Sequence, residues 1–266
     1  MSEPELLTHI DGSIARIIFN RPAARNALTA AMVQGMIAFL RECERRDDVR
    51  VILLTGAGDH FMAGGDVKAF ARSADASPAD RSTLFETLAL DTLPLFALLE
   101  RMPKPIVAKV RGACAGASIG YVAAADFAII SDTALFMVAN AGIGTSPDGA
   151  TSWHLPRIVG MRKAKQMCLL GDRLSAQEAL DCGLATWLHP DAELDAATET
   201  LLLRLATAPT VALGQARLLL NAASGNALTD QLALEGQAAG LCAATQDFAE
   251  GVTAFTEKRG PNFKGQ

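Results

Sequence analysis

PIVAKVRGACAGASIGYVAAAD, residues 105–126, joins three pieces that read differently: an apolar run, a glycine-punctuated turn, and a helix whose first positions carry almost no side chain. Ile106 to Val110 alternate β-branched and small positions behind a proline that cannot donate to a sheet ladder. That pattern predicts a strand entering buried surroundings. Gly112, Ala113, Ala115, Gly116, Ala117 and Ser118 leave no bulk around the first turn of the helix that follows. Two readings are open. Small residues let a helix pack tightly on a strand. They also let a ligand lie against bare backbone, where the first N–H groups of a helix have no intrahelical acceptor and carry the positive end of its dipole.

A matching stretch lies upstream, VILLTGAGDHFMAGGDVK at residues 51–68. Val51 to Thr55 reads as a short apolar strand, Gly56 to Asp59 as a turn, and AGGD as a second small-residue approach to a helical run. Two such units can aim two N–H groups at one carbonyl oxygen, which is the construction of an oxyanion hole.

The rest of the chain bounds what such a site serves. With 266 residues, 50% of them hydrophobic, the chain can bury a large core in one domain with a subdomain. Aromatic residues make up only 5%, so aliphatic and alanine packing must fill that core. A net charge of −5 argues against nucleic acid or an anionic membrane surface as the main partner, and a phosphorylated ligand would need local basic clusters. Five cysteines, odd in number and without a CxxC pair, read as reduced core thiols. The four histidines lack metal-ligand spacing, so no metal is expected. The start, MSEPELLTHIDG, is acidic and no apolar run approaches membrane-spanning length, which predicts a soluble, cytoplasmic protein.

Leu6 to Ile10 and Ile14 to Phe19, joined by Asp11-Gly12, carry the strongest hairpin signal. Thr29 is a plausible N-cap for a helix with Met32, Val33, Met36, Ile37 and Leu40 on one face. From Arg72 to Arg81 the chain is small and polar, SADASPAD between the two arginines, which predicts a mobile or variable loop near the site's edge. Thr83 to Arg101 returns to helical spacing, with Pro94 forcing a break or kink. Ser146-Pro147-Asp148-Gly149 is a turn into a helix containing Trp153; Asp148 there is either an N-cap or a catalytic carboxylate. Beyond Gly160 the chain reads as helices over Met161–Leu170 and Ser175–Cys182, the latter with a Ser175/Glu178 capping box and Gly183 past its end, then a strand over Ala185–Leu188. Long alanine-rich helices follow from Asp191.

Arg21-Pro-Ala-Ala-Arg-Asn-Ala-Leu28, FMAGGD, RGACAGAS, GIGTSPDGATSWHLPRIVG and the terminal FTEKRGPNFKG together resemble the crotonase superfamily, the enoyl-CoA hydratase/isomerase family, in order and separation over nearly the whole chain. The resemblance implies an α/β fold, a spiral of strand-strand-helix units over residues 1–200 with a C-terminal helical region, 201–266, that packs subunits into trimers or pairs of trimers. It implies an acyl-CoA thioester substrate, with coenzyme A part of that substrate and no separate cofactor. The oxyanion positions fall on Gly65 and Ala117. Ala63, Gly64, Asp66 and Val67 fall in the coenzyme A pocket, with Arg25, Lys68, Lys258 and Lys264 as candidate phosphate partners. The two glutamates of enoyl-CoA hydratases fall on Gly120 and Asn140, so both carboxylates are gone. Hydration needs a base and an acid, whereas moving a double bond needs one group that takes a proton and returns it. With Asp148 as that group, in apolar surroundings such as Leu, Ile and Trp that would strengthen it as a base, the chain looks like the branch holding epoxyphenylacetyl-CoA isomerase and enoyl-CoA isomerases. The alternatives are an enoyl-CoA hydratase, with Glu86 or Asp91 as a further acid, and a non-catalytic acyl-CoA binder. A dehalogenase ranks behind them, since its partner histidine has no counterpart within residues 72–104.

Overall fold

The computed structural model describes residues 3–266. β1 (Leu6–Asp11) and β2 (Ile14–Phe19) form the expected antiparallel hairpin, with Gly12 at φ +56° in its turn. From β2 onward the sheet is parallel: β3 (Val51–Gly56), β4 (Ile106–Val110), β6 (Phe127–Ser131) and β9 (Trp187–His189) complete the order β1-β2-β3-β4-β6-β9. A second sheet pairs β5 (Ala113–Ala115) in parallel with β7 (Leu135–Met137), and β7 antiparallel with β8 (Arg173–Ser175).

Strand alternation divides the interior in two. Ile52, Leu54, Ile106 and Ala108 face one core, shared with α1 (Ala30–Arg45), α4 (Leu93–Arg101) and α5 (Ser118–Ala124). Val51, Leu53 and Val107 face the other, closed by Leu194, Leu202, Leu205 and Ala206 of α8 (Leu194–Ala206). Both faces of these strands are therefore covered, as a parallel sheet requires. The division expected at residue 200 falls within α8.

Local chemistry sets the helix ends. The Thr29 hydroxyl accepts from Met32 N and starts α1, and the Ser175/Glu178 capping box starts α7 (Ala176–Asp181). Two expectations are corrected in the next segment. Residues 73–80 are not a long loop: the chain leaves α2 (Val67–Ala71) by a tight turn, and Ser77 caps α3 (Pro78–Leu90) by accepting from Asp80 N, with Pro78 in the first helical turn. Pro94 likewise sits in the first turn of α4, so the break falls before it, at Asp91–Thr92. By composition Pro78–Arg101 is long and apolar enough to cross a membrane, 24 residues with a hydropathy of 1.3, contrary to the expectation from sequence. It is two helices, and the second buries Leu95, Phe96, Leu98 and Leu99 in the core.

α6 (Thr151–Lys165) is interrupted by Gly160 at φ +77° and runs into a π-helical turn at Gln166–Leu170, where sequence periodicity predicts plain α-helix. The last strand begins two residues later than expected. α9 (Thr210–Ala223), α10 (Leu228–Ala243) and α11 (Gln246–Glu257) follow.

Candidate active site

Two short loops run side by side above β3 and β4. Met62 bridges Cys114 in parallel, its N–H donating to Ala113 O (3.1 Å) and its carbonyl accepting from Ala115 N (3.0 Å). Continuing that register brings Gly64 opposite Gly116 and Gly65 opposite Ala117. The backbones approach closely: an ideal Cβ on Gly64 would lie 2.7 Å from Ala115 O and 3.3 Å from Gly116 Cα. Gly64 and Gly116 also sit at φ +84° and +59°, which only glycine adopts at little cost. Around them the amides are paired, Ala63 N to Arg25 O and Gly116 N to Met137 O, both 2.9 Å. The N–H groups of Gly65 and Ala117 have no acceptor among the described residues. Both residues line one cavity of about 490 Å³.

Asn26 braces this arrangement, a role sequence reasoning missed. Fully buried and at φ +58°, it accepts from Arg21 N (2.8 Å) and donates to Ala57 O (3.0 Å) and His60 O (2.7 Å). The signal available was an asparagine, tolerant of left-handed backbone, between a turn and an apolar pair.

Asp148 lines the same cavity. It does not cap α6: that position is Ala150, at φ +55°, and Thr151 N binds the backbone carbonyl of Asp148 instead (3.1 Å). The carboxylate is exposed, and its Oδ1 accepts from Asn140 Nδ2 at 3.1 Å. The same nitrogen donates to Ser146 O (2.9 Å), so two acceptors fix which end of the amide is NH₂. Asn140, where the resemblance expects a hydratase glutamate, thus anchors the Asp148 carboxylate. Trp153 gives no apolar shelter to it. That ring is half exposed, lies 3.5 Å under the Arg157 guanidinium, and faces a separate cavity of about 710 Å³ beside Val122–Ala125.

At Gly120, the other position where the resemblance expects a hydratase glutamate, backbone leaves no room for a side chain. An ideal Cβ there would fall 1.6 Å from Gly149 O and 3.1 Å from Thr151 N. α5 meets the loop before α6 backbone to backbone, and no side chain fits between them.

α2 and α3 cover the cavity. The Phe70 and Phe85 rings pack 4.9 Å apart, and the tip of Phe70 would lie 2.6 Å from a Cβ on Gly65. Glu86 lines the cavity from α3, and Asp91 from the turn that follows it. Of the positions expected to meet coenzyme A, Ala63, Gly64 and Val67 line the cavity. Asp66 is engaged elsewhere: it caps α2 at Ala69 N and pairs with Arg21 at 2.9 Å, and that guanidinium holds its carboxyl below the usual range. Arg25 and Lys68 are exposed neighbours of Ala63 and Val67. Lys258 and Lys264 lie beyond the end of α11 and do not line this cavity.

The family model described as enoyl-CoA hydratase/isomerase matches residues 9–266. The chain is 34% identical to the 1,2-epoxyphenylacetyl-CoA isomerase of Escherichia coli K12 over 98% of both proteins. It is 32% identical to the 2,3-dehydroadipyl-CoA hydratase of the same organism, over 98% of this chain and 99% of that one. The crystal structure of an enoyl-CoA hydratase from Mycobacterium smegmatis superposes with a TM-score of 0.90 at 27% identity, covering 98% and 99% of the two chains. Relatives under both names match this chain over nearly its whole length, and the chain belongs to the enoyl-CoA hydratase/isomerase family.

Proposed function

We propose that this enzyme shifts a carbon–carbon double bond in an acyl-CoA thioester. The thioester oxygen sits between the N–H groups of Gly65 and Ala117, and Asp148 removes a proton from the acyl chain. The electron pair moves into the conjugated system and places negative charge on that oxygen, as a dienolate. The same carboxyl then returns the proton to the other end of the system. Each backbone donor is expected to contribute about a hundredfold to a thousandfold in rate, and the carboxylate about a hundredfold to ten-thousandfold. Coenzyme A enters as part of the substrate, with Ala63, Gly64 and Val67 against its adenosine end and Arg25 or Lys68 toward its phosphates.

The contact at Gly120 carries this reading. Hydration needs a second carboxylate facing the first, and Gly149 O fills the space where one would be attached. Asp148→Asn is expected to lower kcat for isomerisation about a thousandfold while calorimetry shows acyl-CoA binding intact. Full turnover by that variant would refute the role. A second reading, hydration by Asp148 with Glu86 or Asp91, draws on the presence of all three in one cavity. Hydration of crotonyl-CoA that Glu86→Gln or Asp91→Asn abolishes, with isomerisation kept, would favour it.

A further inference from the structure

We propose that Tyr121 is a positioning residue for Asp148, its buried phenol donating to the carboxylate when an acyl chain fills the cavity. This rests on the reading of Asp148 as proton carrier. The Tyr121 ring is fully buried and held edge-on by Phe19 (6.0 Å) and Phe96 (5.0 Å), which fixes the direction of its hydroxyl. That hydroxyl is buried without a partner among the described residues. Native proteins seldom leave such a group unpaired, and the exceptions cluster where function uses them. Tyr121, Asn140 and Asp148 line one cavity. Burial, and then the Asp148 charge, push the phenol's ionisation well above its ordinary value, so the group stands as a neutral donor.

The carboxylate has the complementary need. Its Oδ1 accepts from Asn140 Nδ2, and its Oδ2 has no donor among the described residues. The other ionisable residues lining the cavity are Glu86 on α3 and Asp91 just past its end; no lysine, arginine or histidine lines it. As an acyl chain displaces water, the carboxylate loses its remaining hydration, and a second fixed donor keeps it ionised and holds its plane. With Asn140 on one oxygen and Tyr121 on the other, each oxygen still has a lone pair for the travelling proton.

Tyr121 is the one tyrosine in the chain, so protein labelled with ¹³Cζ-tyrosine gives a single resonance. With saturated butyryl-CoA bound, that resonance should move as pH is lowered. The movement should vanish in Asp148→Asn and persist in Glu86→Gln and Asp91→Asn. Kinetically, Tyr121→Phe should lower kcat about tenfold to a hundredfold with KM little changed, and move the acid limb of the kcat–pH profile upward, because a lost donor disfavours the anion. It should add no further loss to Asp148→Asn. A resonance indifferent to Asp148, or a Tyr121→Phe enzyme with unchanged kcat and acid limb, overturns the proposal. If Tyr121→Phe does not fold, the resonance of the unsubstituted protein decides alone. Full turnover by Asp148→Asn would sink the proton-carrier reading, while the resonance would still report whether phenol and carboxylate meet.

Discussion

Helices α5 and α3 line one cavity and are built in opposite ways. All seven residues of α5 are buried, and the Ser118 hydroxyl is tied back to Ala115 O at 2.8 Å. α3 is nearly twice as long and buries none of its residues; its aromatic contact is Phe85 on Phe70. The side with Ala117 and Tyr121 is thus fixed by the core, while the side with Glu86 and Asp91 rests on a few contacts and opens at lower free energy. Donors aimed at a developing charge act only if they need not reorganise, so they belong on the first side. Accommodation of different acyl chains belongs on the second.

This contrast can be broken in three ways. The largest effect is expected at Gly120. Gly120→Glu adds a carboxylate but drives its Cβ into Gly149 O, so denaturant unfolding should show a loss of about 4 kcal/mol or more. A stable variant that gains hydration would show that the floor yields, and the contrast with α3 would fail.

A smaller effect is expected from acid. His154, on α6 behind α5, has its pKa pushed down to about 4, by burial first and then by the charges of Arg157 and Arg217. The unfolded chain takes up that proton near pH 6.5 and the folded protein only near 4. The folded form is therefore favoured in full above pH 6.5 and loses ground as pH falls across that window. His154→Gln should flatten that part of the stability–pH curve, and an unchanged slope would assign it to other groups. The smallest change in stability is expected on the cover. Phe85→Ala removes one aromatic pair worth about 1 kcal/mol, so Tm should barely move. KM for acyl-CoA should rise while kcat holds; a large loss of Tm would mean that α3 is part of the core after all.

The same contrast governs how much could be read from the sequence. The hairpin at Asp11-Gly12, the Thr29 cap, the capping box at Ser175 and the two glycine approaches are local signals, complete within a few residues, and the fold follows them. α3 lacks such a signal: SADASPAD is small and polar, and only the Ser77-Pro78 start distinguishes a helix there from a loop. Asp148 is ambiguous in sequence because an N-cap and a catalytic carboxylate can share its turn, and the Asn140 amide that its side chain meets in place of a cap is eight residues away. Trp153, close in sequence, turned out to face elsewhere, since α6 directs it to the opposite side of α5. Nothing local marks the steric conflict at Gly120 either, because its partner, Gly149, comes from another element.

The pairing of Met62 with Cys114 has an evolutionary consequence. The amides it aligns are main-chain groups, so no ordinary codon change deletes them; short of proline, a substitution can only crowd or shift them. Side chains lining the same cavity, such as those of Asn140 and Asp148, are under no such protection. If those amides hold a charged oxygen as proposed, such a scaffold keeps that means through long divergence while the reaction performed beside it is exchanged one residue at a time.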